Sequence, residues 1–344
     1  MISIPQVETF EGYTSFPDET VCWIISDGKA GNLTQCVGVA EALGVAAEIK
    51  EVAPRGLSRL LAPYGGVAQA ERFGQRGSAF SPPWPDLAIG CGRLTTPYLR
   101  ALRKASGLKS YTVILLDPKT GPNTADLFWV PQHDKRRGGN VITTLTSPHR
   151  YSPQRLNELR AAVPPEIAAL PKPRIAVLIG GPNGDYKYRF EDEARLIALL
   201  SDLAQLPVGL MITCSRRTPP SIVRLVDTAT RGAARVFWTG EGENPYPQFL
   251  AHADAFLVTA DSVNMVGEAC ATGRPVHVFF PRGGSAKFTR FHTSLQEHGA
   301  TRPIVEADAV LQNWTYTPLY SATPIAAEIR RRYLRRRAVL GNMM

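Results

Sequence analysis

RIAVLIGG (174–181), VGLMITCS (208–215), ARVFWTG (234–240), AFLVTAD (255–261) and PVHVFF (275–280) decide how this chain folds. Each is a short, continuous apolar run rich in Val and Ile, the pattern of a strand buried on both faces. Amphipathic stretches over 190–204, 219–230, 246–253, 263–272 and 285–298 separate and follow them. Such alternation predicts a parallel sheet with right-handed helical crossovers.

The same alternation runs earlier in the chain. VCWIIS (21–26) leads to a helical pattern over 33–43, DLAIGCG (86–92) to another near 96–106, and TVILLD (112–117), DLFWVP (126–131) and NVITTL (140–145) follow. Residues 53–82 read as a Gly- and Arg-rich excursion. Prolines at 148, 153, 164, 165, 171 and 173 crowd the stretch between the two series. Proline removes backbone donors and restricts its predecessor, so this stretch suits a hinge. The expected fold is α/β, with two Rossmann-like parallel-sheet domains facing across a cleft. Residues 1–150 form the first domain, 151–173 a linker and 174–324 the second, leaving a helix at 325–344 to pack back on the first.

At 344 residues, 44% apolar and 20% charged, the composition is globular rather than disordered. The net charge of +9 favours anionic partners. Much of the excess is local, because six of residues 330–337 are arginine. Beside Ile325, Ile329, Tyr333 and Leu334 they read either as a solvated helix face or as a basic amphipathic helix suited to an anionic membrane or a partner. No nucleic-acid module is present. Five cysteines without CxxC spacing argue against a disulfide scaffold or a structural zinc site. No apolar run reaches the roughly 18 to 20 residues that span a bilayer. MISIPQVETFEGY (1–13) resembles neither a signal peptide nor a transit sequence. A cytoplasmic protein, peripheral to a membrane at most, is expected.

Ligands of open α/β sheets bind at the carboxyl ends of strands, where loops enter helix N-termini. The first such junction is SDGKAGNLTQ (26–35), in which Gly28 and Gly31 turn the chain and Lys29, Asn32 and Gln35 add polar groups. Both GxxxxGK[ST] and GxGxxG are absent, which excludes a Walker loop and a dinucleotide fingerprint. Asp27 reads either as a general base or as the cap of the turn. In PQHDKRRGGN (131–140), His133 beside Asp134 reads as a general base or as a plain loop histidine. Adjacent residues on an extended segment point apart, so the two are not expected to bond.

Three junctions of the second series point to a diphosphate. GGPNGDYKYRF (180–190) offers Gly180, Gly181 and Asn183 in a loop able to wrap phosphate oxygens. SRRTP (215–219) places Ser215, Arg216 and Arg217 at a strand end, where paired guanidiniums suit a diphosphate. In TADSVNMVGEACATGRPV (259–276), Asp261 or Ser262 should cap a helix whose first amides, from Val263, Asn264 and Met265, face the ligand. Glu268 would then accept hydroxyls of a ribose, with Asn244 and Tyr246 of TGEGENPY (239–246) bordering the base. Plainer readings stand beside these: a tight turn, exposed arginines, a solvent-facing glutamate. There is no DxD pair and no metal-ligand spacing, so neither a metal nor a cofactor besides the substrate is expected.

Taken in order, DGKAGNLTQ, PQHD, GGPNGDY, SRRTP, GENPY and DSVNMVGEA-x-ATGRPV resemble the mitochondrial fission ELM family over about residues 20–280. More broadly, the two halves resemble the GT-B glycosyltransferases, which bind a nucleotide-sugar in the C-terminal half and an acceptor in the N-terminal half. The resemblance implies that Ser262, Val263 and Asn264 touch the diphosphate and Glu268 the ribose. Asn32 stands where many such enzymes carry an acceptor-side histidine; an amide is no base, so Asp27 or His133 takes that role or no transfer occurs. The leading expectation is an inverting, metal-independent glycosyltransferase using a nucleoside-diphosphate sugar and an acceptor of unknown identity. The alternatives are a non-enzymatic adaptor at a membrane or partner surface and a nucleoside-diphosphate-sugar 2-epimerase.

Overall fold

A computed structural model describes Phe16, residues 19–75 and residues 77–341; the N-terminal stretch 1–13 lies outside them. The chain divides into two compact units, one comprising 1–129, 137–142 and 322–344 and the other 130–136 and 143–321.

The first unit is built on β1 (Cys22–Ser26), α1 (Ala30–Leu43), β2 (Ala47–Glu51), α2 (Gly56–Leu61), β3 (Leu87–Cys91), α3 (Thr96–Ala105), β4 (Tyr111–Leu115), β5 (Leu127–Pro131) and β6 (Val141–Thr144). The strands order as β2-β1-β3-β4-β5-β6, and the pairs from β2 to β5 are parallel. Cys22 and Ile24 of β1 enter one core with Cys36, Val39 and Leu43 of α1, while Trp23 and Ile25 enter another with Tyr98, Leu99 and Leu102 of α3. Covering both faces explains why β1, β3, β4 and β5 read as unbroken apolar runs, whereas the edge strand β2 (AEIKE) is half exposed and carries no such run.

The second unit begins in the proline-rich stretch. Pro153 and Pro165 start α4 (Pro153–Arg160) and α5 (Pro165–Ala168), and Leu156, Leu159, Ile167 and Leu170 are buried in this unit's core. The linker expected at 151–173 is therefore packed structure. Proline's fixed φ and missing donor suit the first turn of a helix as well as a hinge. There follow β7 (Arg174–Ile179), α6 (Phe190–Leu203), β8 (Gly209–Cys214), α7 (Pro220–Thr230), β9 (Arg235–Trp238), α8 (Tyr246–His252), β10 (Ala255–Thr259), α9 (Val263–Cys270), β11 (Val276–Phe279), α10 (Ala286–Glu297) and β12 (Thr301–Pro303). All neighbours in the order β12-β11-β10-β7-β8-β9 are parallel. The winding reverses between β7 and β10, and a crevice opens at the carboxyl ends of strands at such a point.

The final helix, α11 (Ala322–Gly341), returns to the first unit. Ile325, Ala326, Ile329 and Tyr333 are buried against α1 and the sheet, with Tyr333 stacked on Phe16 at 4.9 Å between centroids. This corrects the membrane reading of the arginine-rich helix, because the apolar residues that would enter a bilayer already line a protein core. Several arginines are engaged as well. Arg336 pairs with Asp126 at 2.8 Å, Arg332 pairs with Glu328 and donates to the Gly139 carbonyl at 2.7 Å, and Arg330 donates to that of Leu43 at 3.3 Å.

Candidate functional site

At the reversal point of the second unit, the loop after β7 meets the loop after β10 around one buried carboxylate. Oδ2 of Asp261 accepts from the Gly181 amide and from Arg217 Nη2, each at 2.9 Å, and Oδ1 accepts from the Tyr188 hydroxyl at 2.6 Å. The Gly180 amide donates to Thr259 Oγ1 at 2.7 Å, and Asn183 Nδ2 donates to the Asp261 carbonyl at 3.1 Å. A Cβ on Gly180 would lie 2.2 Å from Asp261 Oδ2, and one on Gly181 would lie 2.4 Å from the Arg217 carbonyl oxygen. Gly180 thus lets the loop after β7 pack against that after β10, and Gly181 against that after β8.

This arrangement alters several sequence expectations. Asp261 does not cap α9; its side chain is 0% exposed, and a carboxylate so buried needs donors and a counter-charge. The amides of Gly180 and Gly181, expected to wrap phosphate, supply those donors or fasten the adjoining strand end. Arg217 supplies the charge, and its Nη1 also donates to the Gly181 carbonyl at 2.7 Å, so it is tied to the protein. Asn183 Oδ1 accepts from the amides of Asp185 and Tyr186, both at 2.8 Å, closing its own loop. Ser215 Oγ accepts from the Arg217 amide at 3.2 Å. Sequence reasoning missed Tyr188. Its signal was a buried-strand aspartate with too few donors in its own loop.

What remains open in this unit is α9. Ser262 makes no side-chain cap, and its carbonyl accepts the first intrahelical bond, from Val266 at 3.0 Å. Among the described residues no acceptor meets the amides of Val263, Asn264 or Met265, so three donors and the positive end of the helix dipole are unspent. Glu268 lies one and a half turns further along and is 9% exposed. It accepts a short hydrogen bond from the Tyr246 hydroxyl, and burial pushes its carboxyl up to about 7. Asn244 is exposed and its Oδ1 accepts from the Tyr246 amide at 3.0 Å, which fixes the start of α8. Tyr151 packs edge-on against Tyr246 at 5.9 Å. Arg216 is exposed and makes no ion pair among the described residues. The structure therefore brings together Val263, Asn264, Glu268 and Tyr246, and separates Arg216 from Arg217 in role.

In the first unit, the winding reverses between β1 and β3, where a second cluster of polar groups meets. Asp27, with a side chain 2% exposed, accepts from the Lys29 amide at 3.3 Å and from Asn32 Nδ2 at 3.1 Å, and pairs with Lys29 Nζ at 3.0 Å. Of its two readings, the cap of the turn is the one seen in these contacts. Gly28, at φ +74°, and Gly92, at φ +80°, make the two turns. A Cβ on Gly92 would stand 3.5 Å from Asn32 Nδ2. Gln35 is buried beneath, with its Oε1 3.9 Å from Cys91 Sγ, and Gly31 lies in the first turn of α1.

His133, the other base candidate, lies in the second unit. It is buried edge-on against Phe291 at 5.2 Å, and its Nδ1 has no partner. Burial, reinforced by the Lys287 charge, lowers its pKa to about 4, so the ring is neutral at pH 7. Asp134 pairs with Lys287 at 2.9 Å rather than with its sequence neighbour.

A family model described as mitochondrial fission ELM1 matches residues 30–333. The mitochondrial fission protein ELM1 of Arabidopsis thaliana is 29% identical over 271 residues, covering 72% of this chain and 64% of that protein. The chain thus spans just under two thirds of that relative's length. The uncharacterized protein RP120 of Rickettsia prowazekii is 25% identical over 349 residues, covering 90% of this chain and 97% of the other. The UDP-N-acetylglucosamine 2-epimerase of Rickettsia bellii superposes with a TM-score of 0.51 at 12% identity, over 92% of this chain and 95% of that one. That likeness is one of fold, a pair of Rossmann-like parallel-sheet units of the GT-B type. With the family model covering most of its length, the chain belongs to the mitochondrial fission ELM1 family.

Proposed function

We propose that this chain is a metal-independent glycosyltransferase that binds a nucleoside-diphosphate sugar in its second unit. The observation that carries the reading is the start of α9: three unspent amides at the sheet's reversal point, with the buried carboxyl of Glu268 behind them. Amides at a helix N-terminus favour a diphosphate over a neutral ligand. Glu268 would hold a ribose hydroxyl, with Tyr246 fixing its orientation through the hydrogen bond between them. Arg216, free of ion pairs among the described residues, would meet the diphosphate, while Arg217 holds the loop that shapes the pocket. Charge growing on the leaving diphosphate would be met by these N–H groups in place of a metal. The acceptor hydroxyl would be deprotonated by His133, which lies in the same unit and is neutral at pH 7, Asp27 being held as the cap of its turn.

The test is calorimetry with a panel of nucleoside diphosphates and their sugars. The reading expects one base to bind and Glu268→Ala to weaken it by about tenfold or more, the worth of a hydrogen bond to a charged group. Unchanged affinity in Glu268→Ala would remove the assigned site. Release of a modified sugar without an acceptor, detected by mass spectrometry, would replace transfer with epimerisation.

A further inference from the structure

The segment after β2 presents apolar side chains outward. Leu57, Leu60 and Leu61 of α2 are 68%, 72% and 49% exposed, Tyr64 is 68% exposed, and no residue of α2 is buried. A six-residue helix with no buried face has no tertiary packing to hold it, and one turn or two is marginal in water. This one is held by polar staples at its far end. Arg93 donates to the carbonyls of Arg59 and Ala62 at 3.0 and 3.1 Å, and Arg100 donates to those of Pro63, Tyr64 and Gly65. The Tyr64 hydroxyl donates to the Lys119 carbonyl at 2.6 Å. The main chain is thus fixed by guanidiniums while the leucines are left in water, which is the reverse of how a surface helix is ordinarily seated.

The charge carried by the segment itself is of one sign. From Val52 to Ala70 the chain has no carboxylate, and its two charged residues, Arg55 and Arg59, are exposed and make no ion pair among the described residues. We propose that this platform seats the protein on an anionic phospholipid bilayer, with the leucines in the acyl boundary and Arg55 and Arg59 at the headgroups. A protein groove would bury the leucines equally well but would not need an unpaired cation on each turn. A bilayer surface supplies both an apolar layer and a sheet of negative charge. The reading does not depend on the proposed sugar chemistry, and it places membrane contact away from the arginines of α11.

Sedimentation of the full chain with vesicles tests it. Phosphatidylcholine vesicles with about one third phosphatidylglycerol should pull the protein down, and pure phosphatidylcholine should not. L57S/L60S/L61S should weaken partitioning by about tenfold or more, and R55Q/R59Q should weaken it and flatten its salt dependence. Because these side chains are exposed, thermal melts of both variants should match the parent. R331Q/R335Q, on α11, should partition as the parent does. Failure of the parent to bind anionic vesicles, or undiminished binding by the triple serine variant, overturns the proposal. So does a dimer in sedimentation velocity that the serine substitutions abolish, which would assign the platform to a second copy.

Discussion

Replacing Glu268 by Gln should stabilise the second unit, and the gain should depend on pH in a defined window. The carboxyl is 9% exposed, and burial raises its pKa from 4.5 to about 7. Below about pH 4.5 the group is protonated in the folded and unfolded chain alike, and its ionisation costs nothing. As pH rises, the unfolded chain loses the proton first, so stability falls until the folded group ionises near pH 7. The full penalty for a shift of that size is up to about 3 kcal/mol. Glutamine has nearly the same shape, keeps an oxygen for the Tyr246 hydroxyl and never ionises. In urea melts of the second unit, Glu268→Gln should equal the parent within about 0.5 kcal/mol at pH 4.5 and exceed it by up to about 3 kcal/mol at pH 8. The buried histidines titrate in both proteins and cancel in the difference. A difference that does not vary between pH 4.5 and 8, or a variant less stable at pH 8, would refute the reasoning.

Three further expectations concern stability and binding. His133, His277 and His292 are each lowered to about 4 and His149 to about 3, in every case chiefly by burial. Stability present above pH 6.5 should therefore be lost as pH falls, at a cost of about 3 kcal/mol for each ring lowered to about 4 and about 5 kcal/mol for His149, whose loss continues toward pH 3. His277→Phe, which removes a buried ring with both nitrogens unpartnered, should flatten that slope in circular-dichroism titrations. Gly180→Ala should cost about 3 kcal/mol in thermal melts, since its Cβ would overlap the Asp261 carboxylate, which Gly181, Tyr188 and Arg217 hold in place. Arg217→Ala should destabilise by about 3 kcal/mol by stranding that carboxylate, whereas Arg216→Ala should leave the melt unchanged and weaken nucleotide binding in calorimetry.

The α/β class was legible in the apolar runs because burial on both faces leaves no polar residue to interrupt a strand. Helix α9 was legible too, since DSVNMVGEA begins directly after a strand end. The partner of Asp261 was not. Its charge is met by Arg217, 44 residues away, and by Tyr188, 73 residues away, and no local pattern announces contacts of that range. Pro153 and Pro165 misled for a different reason: proline fits a hinge and the first turn of a helix equally, and only the burial of Leu156 and Ile167 distinguishes the two. The arginines of α11 drew attention to charge, while the residues beside and among them, Ile329 and Tyr333, had a core to enter. At α2 the sequence read only as part of a Gly- and Arg-rich excursion, and the exposure of its leucines follows only from how Arg93 and Arg100 fasten the chain.

Amide chemical shifts followed through a nucleotide titration test the assigned site most directly. With the nucleoside diphosphate that binds best, the Val263, Asn264 and Met265 resonances should move together and saturate at the calorimetric Kd, and Glu268→Ala should displace that midpoint to higher concentration. Saturable binding that leaves those three amides unmoved would show that the diphosphate lies elsewhere.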